Sequence, residues 1–245
     1  MMSKEFIPDC LFPSDNQLEI PMLRLDMQPK YAEIPFLCFG EQRRTHDMKG
    51  KGTLHFYSDD YRFSAIFEHP EKVLNHHPAN IVEPNFSLHS ETPIAFGMQA
   101  IYKKRFVARA MQENNINVFV DLNVDPKFAK LNLLGVPLGY QSFCTRGDHD
   151  RLANLELDWK IAHVIAKGNP VLFVVYGGGK IVRDWCIEHK CIYVTPIIAI
   201  KNKIKALERM KRNIAFFDCG KEITATELYA NQVENFQNNL LISKE

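Results

Sequence analysis

Between Asn80 and Thr195 short apolar runs alternate with longer segments of helical period, and nearly every apolar run ends in polar residues or glycine. Ile116–Val120 leads into Asp121 and Asn123, and Val136–Gln141 into Ser142, Cys144, Thr145 and Arg146. Val171–Val175 leads into Tyr176, Gly177, Gly178 and Gly179, and Cys191–Val194 into Thr195. Upstream, Ile34–Phe39, Thr53–Tyr57 and Ile81–Val82 are further strand candidates, and Ile214–Phe217 is one more near the C-terminal end. The runs are continuously apolar rather than alternating, which is the pattern of strands covered by helices on both faces.

Helical stripes fall between the runs. Thr92 as a cap and Pro93 at the first helical position predict a helix carrying Ile94, Met98, Ile101 and Ala108 up to Met111. Ser58, Asp59 and Asp60 offer a cap to a helix with Phe63, Ile66 and Phe67. Further helices are predicted at Pro126–Leu134, His149–Lys167, Lys180–Lys190, Lys201–Arg212 and Ala225–Leu241. Crossovers of this length enforce parallel pairing with right-handed connections. The expected fold is α/β with a mostly parallel sheet, (β/α) barrel-like and irregular or incomplete at its N-terminal repeats. An open doubly wound sheet is the alternative. Residues 1–30, rich in proline and turn formers, are expected as an irregular N-terminal arm, and residues 31–245 as a single α/β domain.

Composition narrows the partners. A net charge of +1 over 245 residues gives no global pull towards nucleic acid or anionic lipid. No apolar run reaches the ~20 residues of a membrane-spanning helix, so no membrane partner is expected. The N-terminal residues carry Pro8, Asp9 and Pro13 instead of an apolar signal core, and the six cysteines form no C-x-x-C pair. A cytoplasmic location follows.

In parallel α/β folds ligands sit at the carboxyl ends of strands, which selects the candidate residues. Gly177, Gly178 and Gly179 after Tyr176 let the backbone approach a ligand, and the following helix start offers N–H groups to a phosphate. The same glycines equally suit a tight turn. Arg146 can hold a phosphate or carboxylate in bidentate fashion, or pair with Asp148 or Asp150. Asp121 closes its strand as a candidate base or metal ligand, and Asp60 or Asp59 could join it across the barrel mouth. Such a cluster would suit Mg²⁺ or Mn²⁺. Asn85 and Ser87 complete the expected pocket lining, and His55 and His89 flank it. Lys201, Lys203, Lys205 and Arg209 form a basic helix face that either contacts a nucleic-acid backbone or is merely solvated. Lys103, Lys104, Arg105 and Arg109 form a second basic surface.

Four segments, His55–Phe63, Glu83–Leu88, Pro93–Arg109 and Val175–Gly178, together resemble an uncharacterised family of bacterial, plasmid and phage proteins, the domain-of-unknown-function family forty-four seventeen. The resemblance spans Thr53–Pro196 and departs at Asn85, where the family pattern has an aspartate. It implies a mobile-element setting, with other mobile-element proteins as partners, and brings no activity. The expected function is action on nucleic acid or a phosphorylated small molecule at the strand-end pocket. A non-catalytic nucleic-acid- or protein-binding subunit of a replication, virion or defence assembly is the alternative.

Overall fold

The computed structural model describes residues 12–40, 47–197, 199, 200, 202, 204 and 205. The chain divides into two compact units, Met1–Val194 and Thr195–Glu245. In the second, Ile197, Ala199, Ile200, Asn202, Ile204 and Lys205 are helical. The strand expected at Ile214–Phe217 and the helix expected at Ala225–Leu241 lie outside the described residues.

Seven strands form one sheet: β1 (Phe36–Cys38), β2 (Thr53–His55), β3 (Asn80–Val82), β4 (Asn117–Asp121), β5 (Ser142–Arg146), β6 (Leu172–Tyr176) and β7 (Ile192–Val194). They lie side by side in chain order, and every neighbouring pair is parallel. Helices α1 (Glu71–Leu74), α2 (Ile94–Glu113), α3 (Ala129–Asn132), α4 (Leu152–Ala166) and α5 (Gly179–Glu188) occupy the crossovers. The sheet curls into a half-barrel. In a flat sheet β2 and β6 would be roughly 19 Å apart at the usual strand spacing. Instead the rings of His55 on β2 and Tyr176 on β6 have centroids 4.2 Å apart.

The hollow of the curl is filled by side chains drawn from every strand or its extension: Phe36, Tyr57, Val82, Phe119, Cys144, Val174 and Val194. A second apolar cluster, Ile20, Leu88, Ile101 and Phe128, packs outside the sheet against α2. Gly97 on α2 exists for this contact, because a Cβ there would lie 2.2 Å from the Phe128 ring.

The amino ends of the strands are closed by the segment before β1. Thr53 Oγ1 donates to Glu33 O at 2.7 Å, Asn80 Nδ2 to Tyr31 O at 3.3 Å, and Ser142 Oγ to Pro29 O at 2.6 Å. Each donor is the first residue of its strand, so three polar side chains satisfy the carbonyls of an irregular segment that has no ladder of its own. That leaves the carboxyl ends as the mouth.

Three local expectations need correction. Val136–Gln141 is not a strand: Val136 N–H bonds Leu133 O and Tyr140 N–H bonds Pro137 O, so this stretch is spent on turns and β5 starts at Ser142. Gly139, at φ 94°, and Pro137 explain the break. Pro93, not Thr92, is the N-cap residue of α2, and the Thr92 hydroxyl instead accepts from His89 N–H at 3.0 Å. Asp59 stands at the start of a 3-10 turn, Asp60–Arg62, without capping it by its side chain.

Candidate functional site

Side chains alternate along a strand, so the residue two positions beyond an interior residue also faces inward. From Phe119, Cys144 and Val174 in the hollow, this rule brings Asp121, Arg146 and Tyr176 to the mouth. His55, two residues before Tyr57, faces the same hollow. Four different strands thereby contribute to one rim.

Asp121 is fully buried and saturated with donors. Its Oδ1 accepts from the Tyr57 phenol at 3.0 Å and from Asn123 N–H at 3.2 Å. Its Oδ2 accepts from Asn85 Nδ2 at 2.9 Å and from the Lys104 ammonium at 3.1 Å. Asn85 also donates to Asn123 O at 2.8 Å, and Asn123 Nδ2 returns a bond to Asn85 Oδ1 at 3.2 Å. A divalent cation at Asp121 would have to displace one of these donors. Tyr57 also reaches Cys144 Sγ at 3.4 Å. Burial first, then the neighbouring Asp121 charge, holds the Tyr57 phenol well above its ordinary pKa. Burial likewise pushes the Cys144 thiol up, so Cys144 is no thiolate at neutral pH.

Behind Asp121 lies a group of four buried charges. Arg105 Nη1 binds Glu83 Oε1, and Lys104 Nζ lies 3.7 Å from Glu83 Oε2. Glu83 also accepts from Asp121 N–H at 3.1 Å. Asn132 ties the group to α3, accepting from Lys104 at 3.0 Å and donating to Asp121 O at 3.0 Å, while its carbonyl takes Arg105 Nη2 at 2.6 Å. Two acids and two bases cancel, which is what permits full burial. The basic surface expected on Lys103–Arg109 is therefore corrected. Lys104 and Arg105 are 2% and 0% exposed, and Arg109 is spent on Glu113 and on Met22 O.

His55 has a different environment. Its ring packs among those of Tyr176, Tyr57 and Phe36. Burial, with a smaller contribution from the Arg146 charge, lowers its pKa from 6.5 to about 3. Arg146 itself is exposed at the end of β5, opposite Tyr176 in the β5–β6 register. No carboxylate among the described residues forms an ion pair with it. Asp148 accepts from Asp150 N–H at 3.0 Å and meets Arg151 instead.

The glycine turn packs tightly. Gly177 N–H donates to Val194 O at 3.0 Å, and Gly147 N–H to Tyr176 O at 2.9 Å. A Cβ on Gly147 would stand 2.4 Å from Gly177 O, so the β5 and β6 loops touch backbone to backbone. Gly178, at φ 92°, leads into α5.

Elsewhere, Asp60 accepts from the Ser87 backbone N–H at 3.0 Å and from its hydroxyl at 2.9 Å, while Asp59 is exposed and 3.7 Å from Arg62. His89 and Lys205 are exposed. Lys201, Lys203 and Arg209 lie outside the described residues. Glu83 and Tyr57 were not singled out by the sequence, and Lys104 and Arg105 only as part of a basic surface. One signal was there: Glu83 directly follows a buried strand, as Asp121 ends one.

The chain matches the model of a family described as Domain of unknown function (DUF4417) over residues 12–195. It belongs to that family. Among its relatives, the Gene 1 protein of Mycobacterium phage L5 is 27% identical over 172 residues, covering 68% of this chain and 74% of that protein. The Gene 1 protein of Mycobacterium phage D29 is 32% identical over 110 residues, covering 44% of this chain and 40% of that protein. No solved structure matches. The family match covers the half-barrel from its closed end to its last strand, so the rim described above lies within the matched residues.

Proposed function

We propose that this phage-related protein binds a phosphate-bearing ligand, a nucleic acid or a phosphorylated small molecule, at the mouth of its half-barrel. The observation that carries the reading is Arg146. The four charges grouped behind the rim, Asp121, Lys104, Glu83 and Arg105, are buried and neutralise one another, whereas the Arg146 guanidinium stands at a strand end with no carboxylate among the described residues paired to it. A guanidinium so placed matches a phosphate in fork-to-fork geometry. The first turn of α5, entered through Gly177, Gly178 and Gly179, supplies backbone donors beside it.

In this reading Arg146 and the glycine turn hold the phosphate, and Tyr176 lines the pocket. Asp59, Asp60, Asn85 and Ser87 form the opposite wall. The donor-filled Asp121 and the protonated Cys144 favour a binding role over catalysis, because neither is free to take a proton.

Calorimetric titration with inorganic phosphate and with a mixed-sequence single-stranded oligonucleotide tests this. Arg146→Ala, at an exposed position, should leave the fold intact and weaken binding by about tenfold or more, the worth of a charge-assisted contact. Equal binding by Arg146→Ala and the parent protein, or no binding by the parent, would overturn it.

A further inference from the structure

Buried donors normally find acceptors, so those that do not mark a place where something else belongs. Among the described residues three buried side-chain atoms have no partner: His55 Nε2, Ser58 Oγ and Arg105 Nε. The last sits inside the neutralised charge group. The other two lie within four residues of each other, where β2 runs out into the mouth.

The state of His55 follows from its bonding. Nδ1 accepts from Tyr57 N–H at 3.2 Å, so the single ring proton resides on Nε2. That N–H is a neutral donor facing no acceptor. Its imidazole lies close enough to Arg146 to feel the guanidinium charge, and the half-buried Tyr176 ring covers it. Among the described residues the mouth carries the unpaired Arg146 guanidinium and, against the Tyr176 ring that neighbours it, an uncharged His55 N–H that nothing satisfies.

We propose that His55 forms the uncharged half of the site, and that its ligand is a sugar phosphate. The phosphate takes Arg146, and a neutral sugar oxygen accepts from His55 Nε2–H. The half-buried Tyr176 ring, whose centroid is 4.2 Å from that of His55, swings aside to admit the oxygen and lies against the sugar's C–H face. This inference rests on the phosphate reading above and adds the class of molecule that carries the phosphate.

Calorimetry on the full chain compares ribose 5-phosphate with inorganic phosphate. Ribose 5-phosphate should bind about tenfold tighter than phosphate, and His55→Phe should bring the two affinities to within about twofold of each other. Long-range proton–nitrogen NMR of the unmodified protein gives a readout that does not depend on a variant folding. The His55 Nε2 resonance should move with ribose 5-phosphate and stay in place with phosphate. Equal affinity for the two ligands, or an unmoved Nε2 resonance, would overturn the inference and leave the phosphate reading standing. Failure of both ligands to bind would overturn both.

Discussion

The Tyr57 phenol, beyond the end of β2, donates to Asp121 at the end of β4 across a 64-residue separation, at 3.0 Å. The bond crosses the hollow of the half-barrel and fixes both side chains in the curled state, since in a flat sheet they would stand two strand positions apart. Tyr57→Phe keeps the ring and removes the donor. It should cost about 1.5–3 kcal/mol, the range for a hydrogen bond to a charged group. Urea denaturation at pH 7 measures it, and an unchanged midpoint would mean the bond adds nothing.

Lys104 serves two buried carboxylates, those of Asp121 and Glu83. Lys104→Met preserves length and leaves an acid uncompensated in the interior. The expected loss is about 3–5 kcal/mol, as for breaking a buried ion pair from one side. Half-buried Lys103, its neighbour on α2, has its ammonium 5.4 Å from the Phe67 ring, and the same change there should cost only about 1 kcal/mol or less. Comparable losses at the two positions would contradict the burial pattern.

His55 makes stability depend on pH. Its pKa in the fold is about 3, against 6.5 when unfolded, so the unfolded chain takes up the proton first as pH falls. The contribution is complete above pH 6.5 and declines as pH drops towards 3. Linkage gives a loss of about 2 kcal/mol between pH 7 and pH 5 from this group. The difference in denaturation free energy between the parent protein and His55→Gln, followed over that interval, isolates it. A constant difference would rule out the buried neutral imidazole.

Asp158 on α4 works in the opposite sense. It is buried, accepts from Thr145 Oγ1 at 2.8 Å, and burial raises its pKa well above 3.8. A raised carboxyl stabilises fully below its unfolded pKa and loses that contribution as pH climbs through the folded value. Asp158→Asn keeps an acceptor for Thr145 and removes the titration. The variant should gain melting temperature relative to the parent as pH is raised from 5 to 8, and a gap that stays fixed over this range would refute it.

The glycines of the mouth differ in what they tolerate. Gly147→Ala would drive a Cβ to 2.4 Å from Gly177 O and 2.7 Å from Val182 Cγ1, so it should unfold the β5–β6 loops or cost several degrees of melting temperature. Gly179→Ala meets nothing within 4 Å and carries only the cost of φ 79°, about 1–2 kcal/mol. Thermal melts of the two variants should rank in that order, and the reverse order would show that the loops do not touch as described.

The parallel α/β architecture was legible in the sequence because it depends on local signals. Continuous apolar runs such as Val171–Val175 specify strands buried on both faces, and intervening helical stripes force parallel pairing. The strand ends were legible for the same reason, and so were Asp121, Arg146 and Tyr176. Pro137 and Gly139 break the apolar stretch Val136–Gln141 into turns, so β5 starts only at Ser142.

Pairing of side chains across the hollow was beyond sequence pattern. Whether Lys104 and Arg105 face water or carboxylates depends on Glu83 and Asp121, which lie about 20 residues away on either side, and helical periodicity carries no record of them. His55 beside Tyr176 depends on the curl of a sheet, a sum of small twists over five strands. The sequence by itself determined that the strands run parallel and which polar residues close most of them. Tertiary structure alone decided which charges are neutralised and which one, Arg146, is left unpaired at the mouth, because burial and charge compensation are properties of neighbours in space.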